Sequence, residues 1–174
     1  MKILIVSDIH GNFDNMKKVL KDNPNFDCMF LVGDLLAGPE IEGYNPKKLA
    51  NLLNGYKDKI IAVRGNCDYE YDIKLLNFDI NKLYINMTID KKIFLMTHGH
   101  YYYRDHLPEV PYDILISGHT HVPILERDRG KVIINPGSIT LPRRGSTKSY
   151  IVYEDHIFSL KDLDENKVME RIYI

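Results

Sequence analysis

The sequence predicts an α/β fold in which two mixed β-sheets pack face to face as a sandwich, flanked by α-helices. In the N-terminal half, apolar runs alternate with helical patterns at intervals of roughly thirty residues, the length of a βαβ unit. In the C-terminal half, short strand-like segments are separated by polar turns, as in an antiparallel sheet. The 174 residues contain no linker and no low-complexity segment, so we expect a single domain covering residues 1–174.

The first half of the chain predicts three strands and two helices. Each strand is a continuous apolar run, typical of strands buried on both faces, and the runs cover residues 3–6, 28–32 and 60–63. One helix begins after Asn12, a favoured N-cap, and carries apolar residues at helical spacing. The other begins at Asn45-Pro46, where proline fits the first helical position. Residues 71–78 show no clear pattern.

The second half predicts hairpins around one short strand. Residues 83–89 and 93–96 flank a polar turn, and residues 101–112 form an aromatic loop or a short helix. A strand follows at residues 114–116. Two further hairpins and a closing strand are expected at residues 122–126 with 132–134, 149–153 with 156–160, and 168–174.

Composition excludes several classes of function. The chain carries 23 basic and 24 acidic residues, so no basic excess favours polymeric nucleic acid as a partner. No apolar run approaches the length of a membrane span, and the N-terminus lacks the features of a signal peptide, so we expect a cytoplasmic protein without a membrane partner. The two cysteines, Cys28 and Cys67, are too few for a disulfide scaffold.

Five predicted strands end in side chains that can bind a metal ion. These residues are Asp8 and His10, then Asp34, Asn66 and His98, and finally His119 and His121. Ligands bind at the carboxyl ends of strands in open α/β sheets, so these side chains should converge. Seven donors are too many for one ion and suit two, with Asp34 as the bridge because it stands alone on a central strand. Two ions about 3.5–4 Å apart can clamp the attacking and leaving oxygens of a phosphoryl displacement.

The motifs also resemble those of a known family. Asp8-x-His10, Gly33-Asp34, Gly65-Asn66-Cys67-Asp68, His98-Gly99-His100 and Gly118-His119-Thr120-His121 look like the calcineurin-like metallophosphoesterase superfamily. More narrowly they resemble its YfcE-type phosphodiesterases, to which the retromer subunit Vps29 is also similar. The resemblance implies a metallophosphoesterase fold and a dinuclear site. It assigns Asp8, His10 and His121 to one metal, and Asn66, His98 and His119 to the other, with Asp34 bridging.

One position departs from many superfamily members, which have histidine directly after the asparagine ligand. Here that residue is Cys67, a feature that the YfcE-type subgroup shares. A thiol beside two cations should tend toward thiolate, a poor general acid, which favours substrates with good leaving groups. His100 is a second candidate for the catalytic acid, or else it orients a ligand through a hydrogen bond. Asp68 is expected to be a turn residue or to orient a ligand.

Two further stretches have open interpretations. Residues 101–103, with Arg104 and His106, either stack on a ring of the substrate or form an amphipathic surface or an oligomer contact. Arg143-Arg144 either bind a phosphate or lie in a solvated turn. The aromatic run and the turn at residues 135–138 suggest a homodimer.

The sequence therefore predicts a dinuclear metal-dependent phosphoesterase, specifically a phosphodiesterase, that acts on a small phosphoester through a metal-bridging hydroxide. The mixed nitrogen and oxygen ligands suit Mn, which we prefer, as well as Fe, Zn or Ni. One alternative is a non-catalytic scaffold similar to Vps29, although a scaffold needs neither Asn66 nor both His119 and His121. The other alternative is a phosphomonoesterase. The substrate could be a nucleotide, a cyclic dinucleotide or a small phosphorylated metabolite.

Overall fold

A computed structural model describes residues 1–174 and contains eleven strands and three α-helices. The strands are β1 (Ile3–Val6), β2 (Cys28–Leu31), β3 (Ile60–Ala62), β4 (Tyr84–Ile89), β5 (Lys92–Thr97), β6 (Ile114–Ile116), β7 (Ile124–Asp128), β8 (Lys131–Asn135), β9 (Ser149–Glu154), β10 (Ile157–Asp162) and β11 (Val168–Tyr173). The helices are α1 (Phe13–Asp22), α2 (Pro46–Asn54) and α3 (Glu70–Ile73), with a 3₁₀ turn at Lys57–Lys59. None of these helices has both the length and the apolar character needed to cross a membrane.

The strands form two mixed sheets, as predicted. The first has the order β11-β10-β9-β1-β2-β3, and the second has the order β4-β5-β6-β8-β7. The expectation of an antiparallel C-terminal half is wrong in one respect, because β6 pairs in parallel with both β5 and β8. The last three strands join the N-terminal sheet, where β9 pairs antiparallel with β1 and covers what would otherwise be an exposed edge.

The core lies on both faces of the first sheet. Along β1, Ile3 and Ile5 contact the second sheet, whereas Leu4 and Val6 face the helices, following the two-residue period of a strand. The helices cover only this outer face of the first sheet. On the second sheet, the outer face is covered in part by the loop at residues 101–112, which contains no helix.

Local signals in the sequence are confirmed at several elements. The side chain of Asn12 accepts a hydrogen bond from the Asn15 amide, and Asn45 caps α2 through the Lys48 amide. Residues 71–78, which had no clear pattern, include part of the short helix α3. The three hairpins form with boundaries shifted by one or two residues, and the β4–β5 turn places both Asp90 and Lys91 at positive φ.

Candidate metal centre

The seven predicted ligands follow strands of both sheets. Asp8 and His10 come after β1, Asp34 after β2 and Asn66 after β3, whereas the other three histidines come after β5 and β6. Backbone hydrogen bonds join neighbouring loops, for example from the Asp8 amide to the Gly33 carbonyl at 3.1 Å. The His119 amide donates to Asp8 Oδ2 at 3.0 Å and thereby connects the loops of the two sheets.

The first group consists of Asp8, His10 and His121. His121 Nε2 lies 3.1 Å from Asp8 Oδ1 and 3.3 Å from His10 Nε2. Both Nδ1 atoms contact backbone carbonyls, of Ala37 at 2.8 Å and of Leu141 at 2.7 Å. A carbonyl only accepts hydrogen bonds, so each Nδ1 carries the proton and each Nε2 presents its lone pair to the centre of the group.

Asp8 is completely buried, and its Oδ1 has no hydrogen-bond partner. Its Oδ2 is held by Ser7 Oγ at 2.6 Å and by the His119 amide. An unpaired buried carboxylate costs several kcal/mol, and here it faces two imidazole lone pairs. A divalent cation between these three atoms would satisfy all of them, so the donor set of this group fits a metal ion.

The second group is centred on His98. Its Nε2 lies 3.4 Å from Asp34 Oδ2 and 3.2 Å from Asn66 Oδ1, and its Nδ1 is 2.6 Å from the Val32 carbonyl. The same Asp34 oxygen lies 3.8 Å from His10 Nε2 in the first group. The other oxygen, Oδ1, accepts a hydrogen bond from the Cys67 amide at 2.7 Å. One carboxylate oxygen therefore faces both groups, which is the geometry that a bridging ligand needs.

His119 stands beside these groups. Its ring centroid is 5.3 Å from that of His98, and its side chain makes no hydrogen bond within the protein. Each of the other six predicted ligands has a side-chain donor atom within 3.9 Å of a donor atom of another ligand. The side chain of His119 lies next to these groups without such a contact.

Charge coupling within the centre follows from this arrangement. Burial raises the pKa of Asp34, but the His98 side chain and the Cys67 amide outweigh it, so the pKa lies well below the usual value. Burial lowers the pKa of His98, yet Asp34 and Asp8 raise it by more. For His119, burial and the neighbouring His98 lower the pKa. The carboxylates thus attract positive charge to the position between Asp34 and His98.

Cys67 and His100, the two candidate catalytic residues, both border the centre. The Cys67 sulfur lies within 4.8 Å of ligand atoms of His10 and Asp34. Burial and the Asp34 carboxylate raise the pKa of Cys67 to about 12, so the protein groups alone favour the thiol and oppose the predicted thiolate. The His100 ring lies 5.3 Å from that of His98, and its buried Nδ1 has no hydrogen-bond partner.

Asp68 orients ligands, as the sequence suggested. Its Oδ2 accepts from the amides of Asp34 at 2.9 Å and Gly65 at 2.7 Å, and its Oδ1 accepts from the Leu35 amide at 2.8 Å. It therefore joins the loops that follow β2 and β3. Gly65 must be glycine here, because a Cβ atom would lie 2.1 Å from Asp34 Oδ1.

The backbone at the ligands is strained. Five of the seven predicted ligands have φ between 48° and 65°, a region that residues other than glycine rarely adopt, and they are Asp8, His10, Asp34, His119 and His121. Such strain concentrates at functional sites, where the surrounding structure holds it.

Sequence reasoning missed several residues that orient the ligands. Ser7 holds Asp8 Oδ2, and Ser138 Oγ donates to the Asp8 carbonyl at 2.7 Å. The sequence offers one indication for Ser7, namely that it directly precedes Asp8. The carbonyls of Ala37 and Leu141 gave none, since a backbone acceptor does not depend on residue type.

The remaining predicted features lie outside the ligand set. Arg104 pairs with Glu126 and Asp128, both at 2.9 Å, which favours the surface interpretation of the aromatic run. Residues 135–138 are buried, so the suggestion that this turn contributes to a homodimer contact is wrong. Arg143 and Arg144 line a groove next to His119.

Comparisons with known proteins show which family the chain belongs to. The model of the calcineurin-like phosphoesterase superfamily domain matches residues 1–156. Phosphodiesterase YfcE of Escherichia coli K12 is 37% identical over 182 aligned positions, covering 100% of this chain and 98% of the relative. The probable metallophosphoesterase YsnB of Bacillus subtilis is 34% identical and covers 87% of this chain and 83% of its own length.

Solved structures show the same fold. The E. coli phosphoesterase Yfce superposes with a TM-score of 0.93 at 34% identity, covering 100% of both chains. Vps29 of Entamoeba histolytica has a TM-score of 0.70 at 19% identity, and the match covers 100% of this chain and 99% of that chain. At this identity the match shows only that the two folds are similar.

Proposed function

The chain belongs to the calcineurin-like phosphoesterase superfamily, and from that premise we propose that it is a dinuclear metal-dependent phosphodiesterase. The observation that carries the proposal is the first group of ligands. There, Asp8 Oδ1 has no hydrogen-bond partner and faces the lone pairs of His10 Nε2 and His121 Nε2. A cation bound between these atoms would satisfy the carboxylate oxygen and both lone pairs at once.

The ligands divide between two ions around a common carboxylate. Asp8, His10 and His121 would hold one ion, and Asn66, His98 and His119 the other, with Asp34 Oδ2 between them. When bound, the ions polarise the phosphate oxygens and lower the pKa of a water molecule to about 7. The mixed nitrogen and oxygen donors suit Mn, Fe, Zn or Ni, and we keep Mn as the first choice.

The chain itself supplies orientation and access. The carbonyls of Ala37, Leu141 and Val32 fix three imidazole rings, so these donors need no rearrangement during turnover. Asn66 is exposed and His119 is half-buried, so the phosphate of a substrate can approach from this side. The substrate would be a small phosphodiester.

Hydrolysis of bis(4-nitrophenyl) phosphate tests the proposal. Protein treated with chelator and dialysed should lose activity, Mn should restore it, and elemental analysis should find about two ions per chain. His119→Ala should abolish turnover. His156→Ala is its matched control, because His156 is an exposed hairpin residue whose φ of 63° is close to the 65° of His119. Full activity after chelation and dialysis would contradict the proposal.

The same assay separates the alternatives. Bound metal without turnover of any ester would indicate a scaffold in the manner of Vps29. Faster hydrolysis of 4-nitrophenyl phosphate than of the diester would indicate a phosphomonoesterase.

Cys67 and His100 are the candidates for protonating the leaving group, and leaving-group dependence distinguishes them. Nitrophenolate departs without a proton at neutral pH, whereas an alkoxide needs one. One of the two variants, Cys67→Ala or His100→Ala, should remove the acid. We expect that variant to slow the hydrolysis of a dialkyl ester such as dimethyl phosphate far more than the hydrolysis of the nitrophenyl diester. Equal effects on both substrates would exclude that residue as the acid.

A further inference from the structure

A groove of about 370 Å³ lies next to the candidate metal centre. Its lining consists of His119, Thr120, Val122, Ile124, Arg143 and Arg144. His119 belongs both to the groove and to the predicted ligand set, so the groove opens onto the position where the phosphate would react. A substituent of a bound diester can therefore extend into it.

Arg143 and Arg144 give the groove a positive charge that the protein does not neutralise. Both side chains are exposed, and neither forms an ion pair with a carboxylate. By contrast, Arg64 is paired with Glu70 at 2.7 Å and Arg104 with Glu126 at 2.9 Å. Two adjacent unpaired guanidinium groups are therefore available to an anionic ligand.

The loop that carries these arginines is hydrogen-bonded to His121 of the candidate metal centre. The Arg143 amide donates to the His121 carbonyl at 3.3 Å, and the Leu141 carbonyl accepts from His121 Nδ1 at 2.7 Å. Ser146 Oγ donates to the Arg143 carbonyl at 2.7 Å and closes the turn on its other side. The backbone that carries the two arginines is thus held next to a candidate ligand.

We propose that this groove binds a second phosphate, carried by one substituent of the phosphodiester substrate. The inference rests on the proposed phosphodiesterase function and deepens it by naming a substrate class. Guanidinium groups match the oxygens of a phosphomonoester in a bidentate fork. Val122 and Ile124 offer apolar surface to the carbon skeleton between the two phosphates. The substrate class is a diester that also carries a terminal phosphate, such as an ester of a nucleoside bisphosphate.

Two chromogenic substrates that differ by one phosphate test the inference. They are thymidine 5′-(4-nitrophenyl phosphate) and its 3′-phosphorylated derivative, assayed with the Mn-loaded protein. We expect kcat/KM to be about tenfold higher for the derivative, the effect of one added charged hydrogen-bonded contact. In the double variant Arg143→Gln, Arg144→Gln, the ratio of the two kcat/KM values should fall to about one.

Arg129→Gln is the matched control. Arg129 lies in the β7–β8 turn with φ of 48°, close to the 53° of Arg144, and it does not line the groove. It should keep the wild-type ratio. Equal kcat/KM for both substrates in the wild type, or an unchanged ratio in the double variant, would overturn the inference. Hydrolysis of bis(4-nitrophenyl) phosphate but of neither thymidine ester would also overturn the inference, whereas failure to hydrolyse any of the three would contradict the proposed function itself.

Discussion

Asp34 has its two carboxylate oxygens in different surroundings. Oδ1 is bound by the Cys67 amide, whereas Oδ2 faces the Nε2 atoms of His10 and His98. Only 2% of the residue is exposed, so a cation bound to Oδ2 would offset the cost of burying its charge. At the scale of single residues, metal binding should therefore be visible as a gain in stability.

Asp34→Asn should remove this gain. A ligand that binds the folded state alone contributes about 2.7 kcal/mol at one hundred times its Kd. For a chain of this length, that raises Tm by roughly 5–10 °C. We expect Mn to raise Tm by this amount in the wild type and by much less in the variant, as measured by differential scanning calorimetry.

Asp58→Asn is the control for this change, because Asp58 is exposed on the 3₁₀ turn and forms no ion pair. It should keep the full response to Mn. An equal rise in Tm for Asp34→Asn and the wild type would mean that Asp34 is not a ligand.

At the scale of elements, the ends of β2 and β3 depend on a single side chain. Asp68 accepts hydrogen bonds from three buried amides, those of Asp34, Leu35 and Gly65. Asp68→Ala leaves all three donors unsatisfied, at about 1–3 kcal/mol each. We expect the free energy of unfolding of the metal-free protein to fall by about 3 kcal/mol or more, as measured by urea denaturation.

If the alanine variant does not fold, Asp68→Asn provides the same test, because the amide keeps one acceptor oxygen and loses the other. Its control is Asp72→Asn. Asp72 is also buried, but its Oδ2 has no hydrogen-bond partner, so neutralising it removes no such contact. A loss for Asp72→Asn as large as that for Asp68→Asn would contradict the orienting role.

Elements with local signals could be predicted from the sequence. The apolar run of β1 and the capping asparagine of α1 need only neighbouring residues, and both predictions were confirmed. The parallel pairing of β6 was missed, because strand partners are chosen by contacts between residues far apart in sequence. The convergence of the candidate ligands could be predicted because each of them follows a strand and carries its donor atoms in its side chain. The carbonyls that orient them, such as that of Ala37, could not be predicted, because every residue has a backbone carbonyl.

At the scale of the whole molecule, the candidate centre lies where the two sheets meet. Asp8 comes from the first sheet and His119 from the second, and the His119 amide joins them through Asp8 Oδ2. The other end of the sandwich has a different connection. Tyr153 pairs with Ile3 at the amino end of β1, and its hydroxyl donates to Asp90 Oδ2 at 2.6 Å, in the β4–β5 turn of the second sheet.

Tyr153→Phe should weaken this connection between the sheets in a pH-dependent way. Burial and the Asp90 carboxylate raise the pKa of Tyr153 above its usual value of about 10. Folding then favours the protonated hydroxyl, so its contribution is complete below about pH 10 and is lost as the pH rises further. We expect the variant to lose about 1–2 kcal/mol in the free energy of unfolding at neutral pH, and the difference from wild type to shrink above about pH 10. Urea denaturation across this range measures both effects, with Tyr173→Phe as the control because Tyr173 is 64% exposed. A difference that stays constant with pH would show that the hydroxyl of Tyr153 does not titrate with folding.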